Sequence, residues 1–149
     1  MTDHSDVVLA YWSEQRQQLR QSEDQRAILT NYVLVVTSAL TGLAVQQRLQ
    51  PYTLPLALMV VGIGLYGAVT VAKYHERAAY HQGQARALTR VMKDLGALPL
   101  DETLLDEYRQ SHYSQYPRLR HIRLHALWTG LHLAIAGIGL ALSILIVTM

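Results

Sequence analysis

The chain has 149 residues, a formal net charge of +2 and no cysteine. That is length for one domain; it excludes disulfides and thiolate metal sites, and no long basic run points to nucleic acid. Overall hydropathy is close to neutral, but apolar residues gather in three blocks, 27–45, 54–72 and 126–148, each without one Asp, Glu, Lys or Arg. A helix that crosses a hydrocarbon core of about 30 Å needs roughly 20 mostly apolar residues. Three such blocks in so short a chain predict an all-α membrane protein with three transmembrane helices, organised as a single domain over 1–149.

Residues 1–26 are polar and mixed in charge, which does not fit a secretory signal. Their Gln, Glu and Arg favour helix, and Val8, Trp12 and Leu19 recur at helical spacing. That thin stripe reads either as packing on another protein helix or as lying on the membrane with Trp12 at the headgroup level. Basic residues are few and acids are mixed among them, which favours packing.

Block 27–45 is the first span. Asn31, Ser38 and Gly42 fall near one face, with Thr30, Thr37 and Thr41 beside them. Small and hydroxyl residues in lipid mark helix contacts; the competing reading is a pore lining. The link to the second span is short and ends in Pro51 and Pro55. Proline suits a helix start, so the two spans form an antiparallel hairpin.

Block 54–72 carries Gly64, Ala68 and Ala72 at four-residue spacing, a seam that lets another helix approach closely. Gly62, Gly64 and Gly67 belong to packing for the same reason, and the mid-span Tyr66 hydroxyl needs a partner. Beyond the span the helix continues in polar sequence. Tyr74, Ala78, His81, Ala85, Leu88, Met92 and Leu95 follow alternating steps of four and three, a heptad seam. Gly96 and then Pro99 stop it. Residues 54–95 thus read as one rod, half in lipid and half in water.

Asp101 with Leu104, Leu105 and Tyr108 reads as a capped amphipathic helix, ending in a turn or frayed end at 111–115. Pro117 is placed to open a new helix, and Trp128 lies at a depth suited to an aromatic belt. Block 126–148 has two neighbouring seams: Gly130, Ala134, Gly137 and Ala141, and His125, Thr129, His132, Ala136, Gly139 and Ser143. Two seams predict a helix that touches protein on two sides.

Lys and Arg set membrane orientation. Twelve lie before the first span or between the second and third, against Arg48 alone in the hairpin link. The expectation is an inner-membrane protein with its N-terminus and segment 73–125 cytoplasmic and its C-terminus outside.

Seven histidines invite a metal hypothesis. His121 and His125 are one turn apart, as a divalent ion would need, with His132 two turns on. But no acid lies close to His121, and His75, His81 and His112 lack comparable neighbours in sequence, so no metal site and no cofactor are expected. An acid for a Ser–His–acid constellation is missing near the membrane histidines, and no Gly-rich phosphate loop is present. The chain does not read as an enzyme. His132 stands apart because an ionisable side chain within a span faces protein or water and marks a functional candidate.

The wording Lys73-Tyr74-His75-Glu76-Arg77-Ala78-Ala79-Tyr80-His81, followed by Ala85-Arg86-Ala87-Leu88, resembles the helix after the membrane hairpin in SLATT-type proteins, small bacterial membrane effectors of conflict systems. The resemblance covers the N-terminal helix, the hairpin and the following helix; the third span departs from that family's two-span plan. It implies an oligomeric pore or membrane-perturbing effector. Seams on several faces point independently to a homo-oligomer in contact with lipid. The pore-lining or gating candidates are His132, Thr129, Ser143, Asn31 and Ser38. The rival expectation is a non-conducting membrane scaffold or accessory subunit that binds a protein partner through its cytoplasmic helices.

Overall fold

A computed structural model describes residues 4–97, 102–117 and 122–148, with side chains of 102–106 left undescribed. The described chain is all-helical: α1 (His4–Gln46), a single 3-10 turn (Pro51–Thr53), α2 (Leu54–Asp94), α3 (Glu102–Gln115) and α4 (Leu124–Thr148). Three of these, α1, α2 and α4, are long and apolar enough to cross a membrane. The predicted rod is a 41-residue helix, and the N-terminal polar segment is likewise continuous with the first apolar block in a 43-residue helix.

Helix ends follow local chemistry. At the end of α1, Arg48 and Leu49 take positive φ values of 54° and 53°. The Leu49 N–H donates to the Ala44 carbonyl at 3.0 Å and the Arg48 N–H to the Val45 carbonyl at 2.9 Å. These bonds satisfy carbonyls that the helix end would otherwise orphan, and they reverse the chain before Pro51. At the end of α2, Gly96 supplies φ 69° where no Cβ is in the way. The Gly96 and Ala97 N–H groups donate to the Lys93 and Met92 carbonyls at 2.8 and 3.0 Å, which is the expected glycine stop.

The helix contacts divide the chain into two compact units, one formed by Met1–Ser22 with Glu76–Arg123 and the other by Glu23–His75 with Leu124–Met149. The boundaries of this division fall close to those between polar and apolar sequence.

In the polar unit, the start of α1 runs antiparallel to the end of α2. Trp12 Nε1–H donates to the Thr89 hydroxyl at 3.0 Å, and Arg77 donates to Gln18 at 3.1 Å. His81 Nδ1 and Gln15 Oε1 are 2.6 Å apart. The heptad positions Ala78, Ala85 and Met92 are buried, and His81 and Leu88 are half-buried. Tyr74, the first position of the predicted seam, belongs to the other unit, and Leu95 at its end is exposed. Within the chain, the partner of this seam is its own N-terminal helix. The same contacts place Trp12 against protein rather than at a lipid surface. Helix α3 extends through 111–115, where the sequence suggested a frayed end. Its Tyr108 is exposed rather than packed, and the proposed cap Asp101 lies outside the described residues. Pro117 sits in a turn after α3; α4 begins only at Leu124.

In the apolar unit, α1, α2 and α4 meet at Val33, Val60 and Ile135, with Leu29, Leu40 and Ile63 packed against them. Helices α2 and α4 touch backbone to backbone. A Cβ at Gly64 would stand 2.6 Å from the Ala136 nitrogen, and one at Gly139 would stand 2.7 Å from the Val61 nitrogen. Only glycine fits at either point. Ala68 continues this packed seam, but Ala72 is exposed, and the seam runs on through Val71 instead. Gly62 is exposed with nothing near its missing Cβ, so it takes no part in packing within the chain. Tyr66 also points outward, with 64% of its surface open.

Candidate functional site

The interior of the apolar unit is built round His132 of α4. Its side chain is fully enclosed, and its ring fills the space that a Cβ on Gly67 of α2 would occupy. Its Nε2 lies 3.1 Å from the Thr30 hydroxyl of α1. That hydroxyl has one proton and gives it to the Arg26 carbonyl at 2.9 Å. The threonine oxygen must then accept from His132, so the imidazole carries its proton on Nε2. Nδ1 is left as a sealed lone pair without a hydrogen-bond partner. One side chain thus joins all three helices of this unit: it is seated on α4, bonded to α1 and cushioned by a glycine of α2.

The polar residues near it are satisfied locally. Ser143, Thr37 and Thr30 each bond the carbonyl four residues earlier, with distances of 2.8, 2.7 and 2.9 Å. This is how a hydroxyl in a helix meets its need without a second helix. Ala136, Gly139 and Ser143 are buried with His132, while Thr129 and His125 are half-buried. The seam that includes His132 is therefore the contact surface of α4 inside the unit.

The five lining candidates consequently separate. His132 and Ser143 are buried within the unit and Thr129 lies at its edge, whereas Asn31 and Ser38 are exposed on α1. Ser38 lines an open lateral groove of about 500 Å³ with Leu34, Thr37, Thr41, Gly42 and Val45 of α1; Val60, Ile135 and Ile138 complete its wall. The second α4 seam, Gly130, Ala134, Gly137 and Ala141, is exposed along its whole length. Of the two surfaces predicted for α4, one is occupied by the chain's own helices.

The histidine pattern also differs from expectation. His75 has a partner: its ring stacks on His125 with centroids 4.1 Å apart and planes 13° from parallel. His81 pairs with Gln15, and His112 lies against Tyr113 and Tyr116. His121 lies outside the described residues. Among the described residues no group of three metal-binding side chains assembles. The His75–His125 stack itself does not suit one metal ion, because imidazole lone pairs lie in the ring plane and those of two nearly parallel stacked rings do not converge on one ion at bonding distance.

The His75–His125 pair and the cation–π contact of Arg26 on Trp128 were not foreseen. Their signal was present, since Arg26, His75, His125 and Trp128 all lie at the ends of apolar blocks that the hairpin brings to one level.

Comparison of the chain with family models, with curated proteins and with solved structures finds no match in any of the three.

Proposed function

We propose that the protein is a homo-oligomeric, pore-forming membrane effector whose protomers associate through the outer faces of the three-helix unit. The observation that carries this reading is the groove on α1. Within a block free of charged residues, Asn31 and Ser38 are exposed at the surface that lipid would cover. An unpaired amide or hydroxyl in hydrocarbon is costly, and assembly supplies the partner or the water that relieves it. The exposed glycine and alanine face of α4 gives a second, different surface that a neighbouring helix can approach closely. Two unlike surfaces on one protomer favour head-to-tail association, which closes into a ring when the rotation allows. In this reading Asn31, Ser38 and Thr41 line or gate the passage. His132 and Ser143 hold the protomer together and do not meet water.

The resemblance to SLATT-type effectors supports the same class, through the hairpin and the helix that follows it. The Lys and Arg distribution supports a bacterial inner-membrane location with a cytoplasmic N-terminus and an external C-terminus. Ion flux from liposomes containing purified protein tests the function. Leak that falls in Asn31→Leu and Ser38→Leu is expected; liposomes that stay tight under every trigger overturn it.

One observation favours a second reading, a scaffold that binds a partner outside the membrane. Residues 107–117 of and after α3 are exposed throughout, including Tyr108, Tyr113 and Tyr116. A stoichiometric partner captured through that helix, without conductance, would select the scaffold.

A further inference from the structure

The three apolar blocks alternate in direction, so the start of the first, the end of the second and the start of the third share one level. At that level stand Arg26 of α1, His75 of α2, and His125 and Trp128 of α4. The Arg26 guanidinium carbon lies 5.1 Å from the centre of the Trp128 ring. Only 7% of Arg26 remains exposed, and its Nε is sealed without a hydrogen-bond partner. His75 lies face to face with His125.

All three side chains carry or can acquire positive charge, and they crowd together. Burial, then the neighbouring His125 and Arg26, pushes the His75 pKa below its usual 6.5. A desolvated guanidinium that rests on an indole gains from cation–π attraction but keeps a large unmet demand for an anion. The planar fork of arginine matches two oxygens of a phosphate, and each imidazolium adds N–H donors. The level itself is informative. It is the boundary between polar and apolar sequence on three spanning helices, the depth at which lipid phosphates lie and at which Trp is favoured.

We propose that Arg26, with His75 and His125, forms a phosphate site that holds the headgroup of an anionic phospholipid at one end of the three-helix unit. The proposal rests on the membrane-spanning character of α1, α2 and α4 and is independent of whether the assembly conducts. Arg26 grips the phosphate with Trp128 as its floor. The two histidines tighten the grip when protonated. The charged groups that act on His75 are His125 from α4 and Arg26 from α1. A bound phosphate therefore reverses the sign of the field that now disfavours imidazolium.

The chain has two tryptophans, so Trp12→Phe in the full-length protein leaves Trp128 as the reporter. Phosphatidylglycerol is titrated into phosphatidylcholine micelles that hold this protein, and Trp128 emission is followed. Saturable binding is expected, tighter at pH 6 than at pH 8. Arg26→Gln should weaken it by about tenfold or more, as loss of a charged hydrogen-bond donor implies. Arg26→Lys, which keeps the charge but not the fork, should fall between. His125→Gln changes a half-buried ring and should retain binding while losing much of the pH dependence; it serves if Arg26→Gln does not fold. Equal phosphatidylglycerol affinity in the Trp12→Phe parent and in Arg26→Lys, or a pH dependence in His125→Gln as large as the parent's, overturns the proposal. So does inorganic phosphate that produces the same change over the same concentration range, because it would remove the lipid from the site.

Discussion

The polar and apolar units use parts of the same two long helices and hold them by different means. In the polar unit, long side chains reach across: Trp12 to Thr89, Gln18 to Arg77, Gln15 beside His81. Alanine and methionine fill the seam beneath them. In the apolar unit, backbones meet at Gly64 and Gly139, and a single buried bond joins His132 to Thr30. The contrast follows from the solvent. In water, apolar burial drives association, and ordinary residues at heptad spacing suffice. In lipid that drive is absent, so contact must come from close packing and from polar groups with no other partner.

Several measurements would break or sharpen this contrast. The largest effect belongs to the glycine contacts. Gly64→Val or Gly139→Val forces a side chain into a neighbouring backbone, and should cost the apolar unit about 3 kcal/mol or more, read as a lower unfolding midpoint in detergent. Met92→Ala should cost the polar unit about 2 kcal/mol or more. Hydrogen exchange should then speed up over His4–Ser22 and spare the amides near Gly64. Uniform acceleration of both would show that the units are one cooperative body.

A double-mutant cycle of His132→Leu with Thr30→Val should return a coupling of about 0.6 kcal/mol, the average for hydrogen bonds between membrane helices, and no more than about 1.7 kcal/mol. Zero coupling would leave the imidazole as a space-filler alone.

Acid should weaken the fold in neutral detergent. The unfolded His75 takes up its proton near pH 6.5, while the folded ring does so at lower pH. Below 6.5 the unfolded state binds more protons, so stability falls as pH drops through the ordinary histidine range and on toward the lowered value. A thermal midpoint that declines from pH 7.5 to 5, and declines less in His75→Gln, is the expected result. The smallest effect is at the hairpin. Arg48→Gly relieves a left-handed backbone that side chains disfavour and should stabilise by up to about 1 kcal/mol.

The sequence made some of this legible and hid the rest for a physical reason. Spans, hairpin, rod and glycine stop are local signals of length, composition and backbone demand. The burial of Ala78, Ala85 and Met92 followed from period alone. What lay across from them did not, because Trp12 and Thr89 are 77 residues apart in the chain. Both α4 seams carry small residues, and which one is covered is decided by contacts across the chain, at Gly64 and Gly67 of α2, Gly139 of α4 and Thr30 of α1. The lining candidates were chosen by polarity within a span, and that criterion does not tell His132, enclosed by three helices, from Asn31, turned outward. The His75–His125 pair was hidden similarly. His125 stands out in the sequence only beside His121, and its pairing with His75 emerges only when the third span is laid beside the second.

The imidazole of His132 set over Gly67 acts as an index pin. A helix can slip past its neighbour by one turn, about 5.4 Å, only if the surfaces repeat at that interval. Here the ring would leave its seat over Gly67, and Gly139 would lose its matching gap at Val61. The three-helix unit is therefore locked in axial register. Any rearrangement of this unit has to proceed without axial sliding of α4 along α2.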